Sequence, residues 1–460
     1  MKEQVHFYHA LKVEEDICIG CTHCMNICPT AAIRVNNGKA TINKNACVDC
    51  GECMKSCPVN AIFVEQDDFS QIFKFKYRVA LLPTVLLGQF PDEITEEQIF
   101  SVIHEMGFTH VYEVDEAVDI LTEATAAHMK KYHHQRPFVS TFCPAVVRLI
   151  QVKFPSLVEN MLHLKPVIDI AALYNRKRLE DEGIPTEDIG VFYVTPCAAK
   201  IAAVKSPVGE DELLINGVIN MDFIYNKVLL SISQKKQQVC KIPVPRPLTE
   251  KSIGWTLTNG EASQYKGRCL AIDEIHNVIE ILEKLENDEI ADVDFLELRA
   301  CDHSCAGGVL ATENRFLTIE RLRKRAERHK KMGVPPIEAK GIESYKDYLW
   351  NNLKTKSIEP RSIVKLDENM MVAMKKMEKV QRILRVLPGI DCGACGTPRC
   401  HTLAEDIVQG KAKMTQCVFL QKMLCKENLM TSEESYEISE TTWGKKRFDK
   451  DRNKRNLNEG

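Results

Sequence analysis

The chain has 460 residues, 44% of them apolar and 27% charged, which is the make-up of a globular protein with a sizeable core and about two to four domains. A formal net charge of −3 argues against nucleic acid as the main partner, and the basic runs at 321–331 and 444–455 read as a solvated helix face and a solvated tail. The most apolar stretch, VALLPTVLLGQF at 79–90, is far too short to span a bilayer. The opening MKEQVHFYHALKVEED is too polar for a signal peptide, so a cytoplasmic location is expected. In a reducing compartment the 19 cysteines are expected to be metal ligands rather than disulfides.

The first element is an internal repeat. CIGCTHCMNICPTAAI begins at Cys18 and CVDCGECMKSCPVNAI at Cys47, and each reads C-x2-C-x2-C-x3-C-P. This is the bacterial two-cluster ferredoxin pattern, in which the fourth cysteine of each run ligates the other cluster. Cys18, Cys21, Cys24 and Cys57 are therefore expected to hold one [4Fe-4S] cluster. Cys47, Cys50, Cys53 and Cys28 are expected to hold a second. A small α+β ferredoxin-like domain over 1–75 follows, with zinc as the competing metal.

Strand-like runs such as RVALLP, HVYEV, RPFVSTFCP, IGVFYVTPC and FLELRAC then alternate with helical segments, the rhythm of an α/β domain over 76–350. Cys143, Cys197 and Cys301 each follow such a run, with Cys305 on the loop behind Cys301. Ligand sites in open α/β sheets form at the carboxyl ends of strands, so separate strands can converge on one metal site.

A connecting helix is expected near 368–389, with Met370, Met374, Met377, Val380 and Leu384 on its packing face. Behind it, Cys392, Cys395, Cys400 and Cys417 have the spacing C-x2-C-x4-C-x16-C. This resembles the four-cysteine [4Fe-4S] domain of Rnf-type electron-transfer subunits and some hydrogenase-related proteins. A small helical Fe-S domain is expected over 365–430, zinc again being the competing metal. Residues 431–460 read as a disordered polar tail. Cys240, Cys269 and Cys425 match no motif.

In the middle of the chain STFCPAV, TPCAAK and ELRACDHSCAGG resemble the three cluster-binding motifs of [FeFe]-hydrogenases. LLPTV at 81–85, GFTHVYEVDEAVDILTEAT at 107–125 and FPSLVENMLHLKP at 154–166 agree with that resemblance. It implies that Cys143, Cys197, Cys301 and Cys305 hold a third cubane, which makes four [4Fe-4S] clusters in all. Cys305 would also bridge to a two-iron subsite with CO and cyanide ligands. Lys200 would hydrogen-bond a cyanide, and Pro83 and Thr84 would pack over the two-iron group.

The same resemblance exposes departures. Active members carry a proton-passing cysteine where this chain has Phe142, and a phenyl ring carries no proton. Thr195 and Arg299 stand where methionines are usual, Ala203 where a glutamate is usual, and of two relay acids only Glu123 survives. His303 is an alternative proton donor near neutral pH. Three readings stay open. One is a slow or sensory hydrogenase-like protein of low activity in an anaerobe, binding H2 and signalling through a separate protein. Another is a metabolic hydrogenase whose redox partner is ferredoxin or a similar protein. The last is an electron-transfer or Fe-S scaffold that holds only the cubane.

Overall fold

The computed structural model describes residues 7–209, 213–234, 247–332, 341–361 and 370–448, so Cys240 lies outside the described residues. The chain divides into two compact units. One takes in Leu11–Cys47, Gly51–Val64 and Ser362–Gly460; the other takes in Met1–Ala10, Val48–Cys50 and Glu65–Arg361. Separate domains were expected over 1–75 and 365–430, but most of the ferredoxin-like segment and the C-terminal cysteine group share one unit.

That shared unit opens with four short strands: β1 (Leu11–Val13), β2 (Ile33–Asn36), β3 (Lys39–Ile42) and β4 (Ile62–Val64). β1 pairs antiparallel with β4, and β2 with β3. The β2–β3 turn is Asn37-Gly38, and both residues take the positive φ that a tight two-residue hairpin turn requires. The C-terminal part adds helices Met370–Leu384, Cys400–Val408, Val418–Lys426 and Ser432–Trp443. Val380 and Ile383 of the first, with Leu387 just behind it, pack on Leu403, Ala404 and Leu420. The methionine face expected of that helix is corrected: Met374 and Met377 are exposed, because only its second half meets the core.

The expected disordered tail over 431–460 also needs correction. Thr431 and Glu434 form a capping box that starts the helix Ser432–Trp443. Its last turn offers carbonyls to the β2–β3 turn: Asn37 N donates to Thr441 O at 2.9 Å, and Gly38 N to Thr442 O at 3.0 Å. Trp443 Nε1 donates to Ala394 O at 3.0 Å. A polar composition hid these contacts because they are made mostly by backbone. Residues 449–460 lie outside the described residues.

The other unit contains two parallel sheets. Its strands are β5 (Tyr77–Leu82), β6 (His110–Glu113), β7 (Phe138–Val139), β8 (Ile189–Thr195), β9 (Gly217–Asn220), β10 (Cys269–Asp273) and β11 (Phe295–Arg299). One sheet runs β6-β5-β8-β9 and the other β10-β11-β7, every pair parallel. β8 and β11 are buried along their whole length, as expected of strands covered on both faces. Asp49, from the second cysteine run, belongs to this unit. It is buried and accepts from Arg148 Nη1 at 2.5 Å and Ala10 N at 3.1 Å, with His9 Nδ1 at 2.7 Å.

Candidate metal centres

Parallel strands put their carboxyl ends on one side, and the cysteine loops of the central unit start there. β7 leads to Phe142 and Cys143, β8 to Cys197, and β11 to Cys301 and Cys305. Cys143 caps the helix Pro144–Lys153 and Cys197 the helix Ala198–Lys205, where unpaired backbone N–H groups favour a thiolate. The glycines behind Cys305 allow close approach. A Cβ on Gly308 would lie 2.5 Å from Pro196 O, and Leu310 N donates to that same carbonyl at 3.0 Å. The loops of Cys197 and Cys305 are thus stitched together one residue before Cys197 and five after Cys305.

Cys143 and Cys305 both lie within electrostatic reach of Cys197. Burial, helped by the neighbouring thiols and opposed by Lys200, pushes the Cys197 thiol up to about 12. Such a thiol stays protonated at neutral pH unless a metal takes the proton's place. Lys200 is buried, and its Nζ lies 3.6 Å from Cys305 Sγ and 4.4 Å from the centre of the Phe142 ring. Burial alone would lower the lysine, but the charges of Cys305, Tyr193 and the other cysteines outweigh it and raise it. Lys200 and Phe142 also border an apolar cavity of about 100 Å³, partly open to solvent, walled by Val147, Leu162, Ile168 and Val204. Soft thiols, a facing ammonium and an adjoining space suit an anionic iron–sulfur group.

Pro83 and Thr84 follow β5. Thr84 N donates to the buried Asp115 at 2.7 Å. Burial raises Asp115 to about 6 against the backbone hydrogen bond from Thr84. Phe142 is buried and faced by two cations, since the Arg299 guanidinium also lies 3.8 Å from its ring centre. Arg299 pairs with two buried acids, Glu297 at the head of its own motif and Glu261, which belongs to no motif. Nη2 reaches Glu261 at 3.0 Å and Nε reaches Glu297 at 3.4 Å. Burial pushes Glu261 up to about 7, with Arg299 pulling it down and Glu297 adding to the rise.

Two residues expected at the chemistry are not gathered there. Glu123 is exposed and paired to Lys346. His303 is also part exposed, with its ring 4.7 Å from that of Phe316, and it borders a different cavity beside Asp273 and Asp302. Glu123 was expected there as the surviving relay acid and His303 as an alternative donor; helix phase turns Glu123 outward, and the His303 backbone takes a positive φ of 57°.

In the ferredoxin-containing unit, Cys18, Cys21, Cys24 and Cys57 line one small cavity. Burial pushes the Cys24 thiol up to about 12, reinforced by Cys18, Cys21 and Cys57. The fourth cysteine of the second run thus joins the first three of the first run. Ala40 N donates to Cys18 Sγ at 3.3 Å and Ala61 N to Cys57 Sγ at 3.2 Å, the contacts that lend a cluster's thiolates support. Cys28, Cys47 and Cys53 belong to this unit, and Cys50 to the other. At the C-terminal group, burial raises Cys395, with Cys392 and Cys417 adding to the rise. Among the described residues, no helix is long and apolar enough to cross a membrane.

Three family models match the chain: a 4Fe-4S dicluster domain over residues 10–68, the iron only hydrogenase large subunit, C-terminal domain over 78–223, and an Fe-S cluster domain over 387–419. Among curated proteins, an uncharacterized protein of Methanocaldococcus jannaschii is 43% identical over 53 residues, 12% of this chain and 24% of that protein. A component of the ion-translocating oxidoreductase complex of Rhodobacter capsulatus is 50% identical over 38 residues, 8% of this chain and 20% of that protein. The chain thus spans about a quarter or less of the length of the curated relatives it matches. A variant of the [FeFe]-hydrogenase of Chlamydomonas reinhardtii overlays with a TM-score of 0.47 at 13% identity, covering 63% of this chain and 95% of that one. The chain carries an [FeFe]-hydrogenase-type domain between a 4Fe-4S dicluster domain and a C-terminal Fe-S cluster domain.

Proposed function

We propose that this is a slow or sensory [FeFe]-hydrogenase-like protein that binds H2 and passes electrons through [4Fe-4S] clusters. The observation that carries the reading is Lys200 Nζ at 3.6 Å from Cys305 Sγ, beside a cavity and beside Phe142. Cys143, Cys197, Cys301 and Cys305 would hold a cubane, and Cys305 would also carry a two-iron group with CO and cyanide ligands. When bound, that group supplies the metal centre at which H2 is taken up and cleaved. Lys200 fixes an anionic ligand by a charge-assisted hydrogen bond in a dry pocket. Pro83 and Thr84 form a wall near it. Phe142 excludes water and offers no atom that accepts a proton, which keeps turnover low.

Eight further cysteines, at 18, 21, 24, 28, 47, 50, 53 and 57, would hold two ferredoxin-type clusters. Cys392, Cys395, Cys400 and Cys417 would hold a fourth cubane. Ferredoxin or another redox protein would exchange electrons with them, and a separate signalling protein would read the redox state.

Infrared spectroscopy of the anaerobically matured protein tests the reading. CO and cyanide bands are expected, with H2 turnover rising at least tenfold in Phe142→Cys. Absence of the bands after maturation would sink it. A reversible metabolic hydrogenase is the second reading. It is favoured by Glu261, a buried carboxyl held near 7 and hydrogen-bonded to Ser140 Oγ at 2.7 Å, because such a group can hold a proton at working pH. Fast turnover of the unaltered protein with ferredoxin would decide for it.

A further inference from the structure

Arg299 stands where the resemblance calls for a thioether, and its surroundings are built to hold a cation. The side chain is 2% exposed. Glu297 does not need it as a partner: its carboxylate already accepts from the backbone N–H groups of Asn259, Glu261 and Ala262 at 3.1, 2.9 and 2.7 Å. Glu261 is likewise held by Ser140 Oγ. These two braced acids grip Nε and Nη2, and the flat face of the guanidinium lies on Phe142. The fork is therefore fixed in orientation, as a guanidinium with two bonds and one stacked face must be.

One nitrogen remains. Nη1 is buried and has no hydrogen-bond partner among the described residues. Leaving a charged donor unsatisfied in a dry interior is costly, so native structures seldom do it without an acceptor. Arg299 also lies within electrostatic reach of Cys143 and Cys305.

We propose that Arg299 is a second cationic contact of the metal group seated on Cys143 and Cys305. Its free Nη1 donates to a soft anionic acceptor of that group, either a cluster sulfur or a cyanide. Lys200 and Arg299 then flank Phe142 and bias the site toward its more reduced, more negative form. The inference rests on the reading above that metal is bound at these cysteines.

Two arms separate the acceptors. In protein made without maturation, the cubane whose signal is lost in Cys301→Ser is titrated by electron paramagnetic resonance. A sulfur acceptor predicts that Arg299→Met lowers its midpoint potential by at least a tenfold change in the redox equilibrium, which is 59 mV for one electron. In matured protein, a cyanide acceptor predicts instead that Arg299→Met moves the cyanide bands while the cubane potential holds. Arg299→Lys, which keeps the charge but loses the fork, is expected to shift the same quantity part of the way. Bands and potential both unmoved in a loaded Arg299→Met protein would overturn the proposal, as would full restoration by lysine. If no signal is lost in Cys301→Ser, no cluster sits there, and the functional reading fails together with the inference.

Discussion

At Asp115, one buried carboxyl couples the loop after β5 to the turn after β6. It sits at 0% exposure and accepts the Thr84 N–H that begins the short helix Thr84–Leu87. Burial raises it from 3.8 to about 6, so the folded state keeps a proton that the unfolded chain has already lost in that interval. The stability from that proton is complete below the unfolded value and drains away as pH rises through about 6. Asp115→Asn keeps an acceptor for Thr84 N and removes the charge. Relative to the parent, this variant is expected to gain stability between pH 5 and 7, up to about 3 kcal/mol. Denaturant unfolding at a series of pH values measures it, and parallel pH profiles for the two proteins would refute the assignment. Nothing in the sequence marked Asp115 as special, because its environment is made by Thr84, 31 residues away. Phe142 was legible because it interrupts a motif, whereas its clamp was not: Glu261 lies 38 residues from Arg299 and belongs to no motif.

At the scale of elements, cysteine spacing and strand ends were readable because both are local. Every cysteine loop of the central unit follows a strand that the apolar runs announced. The parallel order β6-β5-β8-β9 was not readable, since pairing between distant strands leaves no trace in one sequence. The C-terminal helix Ser432–Trp443 was missed for a different reason. Composition reports the burial of side chains, and this helix is held largely by carbonyls given to Asn37 and Gly38. Val35 N likewise donates to Gly396 O at 2.8 Å, and Arg34 Nε lies 2.6 Å from Asp406. The β2–β3 hairpin is thus fastened from both sides by the C-terminal segment. Ending the chain after residue 430 strips the bonds to Asn37 and Gly38, leaves those of Val35 and Arg34, and frees Ala394 O in the cysteine loop from Trp443. The truncated protein is expected to melt at a lower temperature, with about 2–4 kcal/mol lost from this unit. A thermal midpoint equal to that of the full chain would show the helix to be dispensable.

At the scale of the whole molecule, the division of ligands between units matters more than their number. The cubane reading of the C-terminal group uses cysteines that lie wholly within one unit, and so does the reading of Cys143, Cys197, Cys301 and Cys305. Each can therefore be emptied without touching the other's ligands. Cys417 is the sharpest probe for the first. It is 5% exposed, caps the helix Val418–Lys426 and packs with Leu403 and Val380. Serine there removes a soft ligand while keeping size and a cap-competent oxygen. Cys417→Ser is expected to lower the bound iron by about 4 atoms per chain, one cubane's worth. The infrared bands of matured protein should stay where they are, because their ligands sit on β7, β8 and β11 loops in the other unit. Iron analysis beside infrared spectra on the same sample reads both quantities. Unchanged iron would remove the fourth cluster from the reading, and zinc recovered in its place would identify the site as structural.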